Sequence, residues 1–141
     1  MPRITETATI AMDPKTLWKQ IGSFDSVGEW HPMLKSVEVV REGKDLTRIA
    51  HGNVGDDQTE RLQRLDPRRH FYRYILERSS MPVRDYTGEF RIDPAGDAAS
   101  TVIWSAKFEL TDEGDGRTVE SVRKFLHAGT EALRQKFGEA T

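Results

Sequence analysis

Apolar and polar positions alternate from Ile4 to Ile10, with Ile4, Ala8 and Ile10 on the same row as Glu6 and opposite Thr5, Thr7 and Thr9; this is the period of a strand. Asp13-Pro14 ends the run and opens a helix, with Asp at the N-cap, Pro at the first helical position, Leu17, Trp18 and Ile21 on one face and Gly22 closing it. Val27 to Trp30 predicts a second short helix, stopped by Pro32. Turn clusters then recur at even spacing: Glu42-Gly43-Lys44-Asp45, Gly52 to Asp57, Asp66-Pro67-Arg68-Arg69, Ser79-Ser80-Met81-Pro82 and Pro94-Ala95-Gly96-Asp97. The segments between them predict strands at 34–41, 46–52, 58–65, 70–78, 84–93 and 99–110, an antiparallel meander rather than a series of βαβ units. After the acidic loop Asp112 to Gly116, the residues Val119, Val122, Leu126, Gly129, Leu133 and Phe137 fall at steps of three and four, the stripe of an amphipathic helix from about Arg117 to Phe137. Twenty-odd residues at 1.5 Å rise span on the order of 30 Å, about the width of seven strands spaced ~4.8 Å apart. The expected architecture is therefore α+β, in the order β-α-α-β6-α, with a seven-stranded antiparallel sheet and a long C-terminal helix lying across it.

Composition narrows the classes. The 141 residues predict one domain, 1–141, large enough to bury a core without disulfides or a structural metal. With no Cys there is no disulfide, thiolate metal site or cysteine nucleophile. A net charge of −2 lacks the bulk basic field of a nucleic-acid binder. No run approaches the ~18 apolar residues of a membrane span, and the N-terminus has no signal-peptide pattern. The expectation is a cytoplasmic protein, monomer or homodimer. His31, His51, His70 and His127 have no metal-ligand spacing, so neither metal nor cofactor is expected.

The alternation also assigns faces. Val102, Trp104, Ala106, Phe108 and Leu110 make an inward row, as do Tyr86, Gly88, Phe90 and Ile92, and Tyr72, Tyr74 and Leu76. An interior with three tyrosines and a tryptophan is amphipathic, because each buried hydroxyl or indole N–H wants a partner. Two charges fall on inward rows: Glu60 with Leu62, and Arg48 with Leu46 and Ala50. Buried charge is tolerated only when paired, and the two flank one hairpin turn. They either pair inside or form a solvated pair on the outer face. Arg61, Arg64, Arg68, Arg69 and Arg73 read as a solvated sheet surface, Trp18 as packing between helix and sheet, and Gly129 as room made against the long helix, for sheet side chains or for a ligand.

The run Asp13-Pro14, Leu17-Trp18, Ile21-Gly22 and Trp30-His31-Pro32, with Arg48, Glu60-Arg61-Leu62, Asp66, Tyr74, Pro82 to Tyr86, Val102-Ile103-Trp104 and Phe108, resembles the polyketide cyclase/dehydrase-type members of the START-like superfamily, which also holds the birch-pollen allergens. The resemblance covers about Thr5 to Leu133. It implies a helix-grip fold, in which the sheet wraps around the C-terminal helix and encloses a cavity for a hydrophobic or aromatic small molecule, polyketide-, lipid- or sterol-like. As a binding module, the protein would use Arg48, Glu60, Tyr72, Tyr74 and Tyr86 to orient the polar end of a ligand. Trp30, Leu62, Phe90, Trp104, Leu126, Gly129 and Leu133 would cover its apolar body. As a cyclase or dehydratase, it would use Glu60 as base, Arg48 or Tyr74 to hold an enolate oxygen and His31 as acid or base at the cavity mouth. A third reading is a ligand-gated interaction module with its rim at Gly52–Asp57 and Ser79–Val83. The binding reading leads, because no nucleophile–base constellation or metal motif is visible.

Overall fold

A computed structural model describes residues 2–53 and 57–140; residues 54–56 of the expected Gly52–Asp57 rim lie outside the described residues. The elements follow the predicted order: β1 (Arg3–Ile10), α1 (Pro14–Ile21), α2 (Val27–Trp30), β2 (Leu34–Glu42), β3 (Asp45–Gly52), β4 (Asp57–Asp66), β5 (Phe71–Arg78), β6 (Val83–Pro94), β7 (Ser100–Leu110) and α3 (Gly116–Phe137). Hydrogen-bonded neighbours run β1-β7-β6-β5-β4-β3-β2, so every strand pair is antiparallel and only β1 is placed beside a strand distant in sequence. This is the helix-grip, START-like arrangement of one seven-stranded sheet around a long C-terminal helix. No helix among the described residues is long and apolar enough to cross a membrane.

Local chemistry sets the helix boundaries. Asp13 Oδ2 accepts from the Thr16 backbone N–H at 3.0 Å and Pro14 occupies the first turn of α1, a side-chain cap on an otherwise orphaned donor. Asp115 and Thr118 form a capping box that starts α3. At its far end α3 is tied to β1, because the Ala11 N–H donates to the Gly138 carbonyl and the Ala140 N–H to the Thr9 carbonyl. The helix is thus anchored where the first strand ends.

The expected inward rows are inward. Tyr72, Tyr74, Phe90, Val102, Trp104 and Phe108 are all essentially inaccessible. Val122, Leu126, Gly129 and Leu133 form the buried stripe of α3 that faces them. The outer face carries ion pairs such as Arg73–Glu89 at 2.7 Å and Arg61–Glu77 at 3.4 Å, so two of the arginines in the local cluster serve a half-exposed sheet surface. Two glycines make room for aromatic rings, Gly88 across the sheet and Gly129 between helix and sheet. A Cβ on Gly88 would lie 2.1 Å from the Tyr74 ring, and one on Gly129 would lie 2.5 Å from Trp104 and 2.9 Å from His31. The room at Gly129 is filled by aromatic rings.

Candidate functional site

The hairpin of β3 and β4 supplies the polar part of the interior. Its register places Arg48 opposite Glu60 and Ala50 opposite Gln58, and the two-residue period of each strand puts these two pairs on one face. That face is inward: Arg48 is 1% and Glu60 9% exposed. Arg48 Nε donates to Glu60 Oε1 at 2.7 Å, and Nη1 donates to the Phe24 carbonyl at 2.7 Å and to the Tyr72 hydroxyl at 3.2 Å. The guanidinium carbon lies 4.1 Å from the Phe24 ring centroid and 4.7 Å from that of Tyr74. Burial works against the Arg48 charge, but Glu60 together with Tyr72 and Tyr74 holds its pKa above the ordinary arginine value. A planar fork with rings against its faces and an acceptor on each working edge is a task for Arg rather than Lys.

A cavity of about 160 Å³ opens against this pair. The hairpin gives it Arg48, Ala50, Gln58 and Glu60, while Tyr86 and Trp104 come from β6 and β7. Ser121, Val122 and Phe125 of α3 form the roof, and Val27, Met33, Leu34 and Met81 complete the apolar wall. The Tyr86 phenol is buried, with its pKa raised by burial and then by Glu60, and its hydroxyl has no hydrogen-bond partner among the described residues.

Four of the residues singled out in the sequence meet at this cavity: Arg48, Glu60, Tyr86 and Trp104. The others are placed elsewhere in the interior. Tyr74 accepts from Trp104 Nε1 at 3.0 Å, beneath the cavity wall, with its pKa pushed well up by burial and then by Glu60. Trp30, Tyr72 and Phe90 stack and tilt against one another and Trp104 at ring-centroid distances of 5.2–5.8 Å, a filled aromatic cluster. The Trp30 indole N–H is buried without a partner among the described residues. Leu126, Gly129 and Leu133 are buried core residues of α3, and Leu62 is partly buried against the core.

His31 is not at a mouth; it is 3% exposed between α2 and α3. One ring nitrogen, Nε2, is 2.8 Å from the Phe125 carbonyl, and Nδ1 is 3.1 Å from the Met33 backbone N–H. Since a carbonyl only accepts and an amide N–H only donates, the ring carries its proton on Nε2 and accepts at Nδ1. Burial pushes its pKa down to about 4, with Arg48 adding to the effect and the Phe125 carbonyl opposing it. Both nitrogens are occupied by backbone, which leaves His31 holding the α2–α3 junction rather than a substrate proton.

Several lining residues had a partial signal in the sequence. Ala50 and Gln58 sit two positions from Arg48 and Glu60 on the same rows, and Phe125 lies three residues after Val122 on the edge of the α3 stripe. Met81 falls in the expected Ser79–Val83 rim, whereas Met33 had no signal, since it sits in a separate connection that only the fold brings to the same wall. Among the described residues no three His, Asp or Glu side chains gather in a way that would hold a metal ion.

The family model described as polyketide cyclase / dehydrase and lipid transport matches residues 1–138. The chain belongs to that family. No curated protein matches the sequence. Among solved structures, this polyketide cyclase/dehydrase-family chain is similar to XoxI from Bacillus cereus, with a TM-score of 0.90 at 25% identity over 97% of this chain and 96% of that one. The Zhui aromatase/cyclase from Streptomyces sp. R1128 gives a TM-score of 0.74 at 20% identity, covering 96% and 95% of the two chains. A START superfamily protein from Mycobacterium smegmatis gives 0.76 at 13% identity, covering 96% of each. The last two likenesses are of fold alone. Family and fold together support ligand binding or cyclase chemistry in general terms, and the particular wall of this cavity has to be read from its own residues.

Proposed function

We propose that this protein binds a small hydrophobic or aromatic molecule in the cavity between the β3–β4 hairpin and the first half of α3. The observation that carries this reading is the make-up of the cavity: an apolar enclosure of Val27, Leu34, Met33, Met81, Val122 and Phe125, with a few polar groups, most of them on the hairpin wall and the others Tyr86 and Ser121. Small-molecule sites are built in this way, apolar for affinity with a few fixed polar groups for orientation. The cytoplasmic setting belongs to the same proposal and is supported by a chain without cysteine.

An enzymatic reading rests on Glu60 as base with Arg48 holding an enolate oxygen. Of the four candidate residues only these two line the cavity, and Arg48 is held as a cation. Turnover that disappears in Glu60→Gln while ligand binding persists would establish it.

The binding reading is tested by native mass spectrometry of gently purified protein, paired with Ala50→Leu, which fills the cavity from the hairpin side. A retained small molecule that is lost in Ala50→Leu is the expected result. A retained molecule carried equally by the filled variant would place the ligand elsewhere and overturn the assignment.

A further inference from the structure

The polar wall has a specific unused pair of hydrogen-bonding groups. The Nε–H of an arginine and one N–H of Nη2 share the same edge of the guanidinium and match the two oxygens of a carboxylate. Here Arg48 makes only the first of those bonds, from Nε to Glu60 Oε1. Its Nη1 is taken by the Phe24 carbonyl and the Tyr72 hydroxyl, and its faces are covered by the Phe24 and Tyr74 rings. Neither Arg48 Nη2 nor Glu60 Oε2 has a hydrogen-bond partner among the described residues, and neither is fully enclosed as the Trp30 indole N–H is. Both residues line the cavity. One ion pair at its wall therefore keeps a donor and an acceptor for a ligand.

Resting on the binding function proposed above, we infer that the cavity selects a neutral, single-ring compound whose hydroxyl bridges this pair, accepting from Arg48 Nη2 and donating to Glu60 Oε2, and that it rejects the carboxylate of the same shape. A phenol, a cyclic alcohol or the enol of a cyclic ketone has such a group. A carboxylate at Nη2 would lie against the Glu60 carboxylate with no proton to share, and the one cation at hand is already paired. An ether can accept but leaves Glu60 Oε2 without a donor, the arrangement that costs most in a dry site. The size follows from the cavity of about 160 Å³, since an apolar cavity of roughly 150 Å³ holds a benzene ring. Val122, Phe125 and Trp104 pack the ring, while the unpaired Tyr86 hydroxyl gives a second polar substituent somewhere to bond.

The test is a matched series titrated into the full-length protein by isothermal calorimetry: para-ethylphenol, para-ethylanisole, para-ethylbenzoate and ethylbenzene, with amide chemical shifts of Ala50, Val122 and Phe125 locating each ligand. The phenol should bind about tenfold or more tightly than the anisole, which lacks only the donor, and more tightly still than the benzoate. Benzoate binding as tightly as the phenol, or anisole equal to phenol, with the shifts at the cavity, overturns the selectivity while leaving the binding function standing. No binding by any of the four, ethylbenzene included, overturns both. Glu60→Gln frees Arg48 from its counter-charge, so the preference should invert toward para-ethylbenzoate by about tenfold. A folded Glu60→Gln protein that keeps the preference for phenol overturns the bridging role, and if that variant does not fold the wild-type series decides by itself.

Discussion

The interior has two ends that share one sheet and one helix and differ in how their space is used. At the closed end Trp30, Phe90, Tyr72 and Trp104 fill the gap between sheet and α3, and Gly129 brings the helix within contact of the rings. At the open end the facing residues are Ala50 and Val122 where larger side chains would fit, and a void remains beside Arg48 and Glu60. The difference lies in residue volume and in polarity: the closed end is packed by aromatic rings, whereas the open end combines small side chains with a buried ion pair. Protein interiors tolerate few voids larger than a water molecule, so a retained cavity next to a charged pair marks where the molecule departs from simple packing.

The sharpest way to break the open end is to remove one member of its pair. Arg48→Met leaves Glu60 buried without a counter-charge and should cost about 3–5 kcal/mol, measured by urea unfolding at neutral pH. The double variant Arg48→Met with Glu60→Leu should recover much of that loss, so that the double-mutant cycle shows strong coupling. A double variant no more stable than Arg48→Met would mean that Arg48 contributes through the Phe24 carbonyl and the rings instead.

The His31 junction between the two ends should report through pH. His31 has its pKa depressed to about 4 in the folded protein against 6.5 as the ordinary value, so below 6.5 the unfolded chain binds a proton that the folded chain refuses. The stability of the neutral ring is fully present above pH 6.5 and is lost as pH falls toward 4, by about 3 kcal/mol over that window. Unfolding midpoints of wild type and His31→Gln between pH 7 and 4.5 should converge as the wild type weakens, and parallel curves would rule out His31 as the source.

Filling experiments contrast the two ends directly. Gly129→Ala drives a methyl into Trp104 and His31 at the closed end and should destabilise by about 1–3 kcal/mol, in spite of the gain of ~1 kcal/mol in helix propensity. Ala50→Leu adds atoms to the void at the open end and should stabilise by about 0.5–2 kcal/mol while abolishing ligand binding. Thermal melts of both variants give the signs, and like signs would mean that the open end is not a void in solution.

Much of this was legible in the chain. The turn clusters located the strands from β2 to β7 to within about two residues, because Gly, Pro, Asn and Asp act locally. The alternation of β3 and β4 put Arg48 and Glu60 on inward rows, and their pairing register in the folded protein places them face to face. The period-2 rows put the tyrosines and Trp104 in the interior, yet of these Tyr86 and Trp104 line the cavity and Tyr72 and Tyr74 do not. Facing is a period-2 property of one strand, whereas lining depends on which side chains across a gap fail to meet.

The sequence by itself determined the order of elements, the inward rows, the caps of α1 and α3 and the presence of two charges that had to be paired. All of these are set by near neighbours along the chain or by the period of a strand or helix. The tertiary structure alone decided where the unfilled space lies, that both His31 nitrogens bond backbone, that Met33 and Met81 meet at one wall and that Arg48 leaves one nitrogen without a partner among the described residues. Each of those depends on distances between segments remote in sequence, fixed by how α2, α3 and the connections pack over the sheet to within a fraction of a side chain's width.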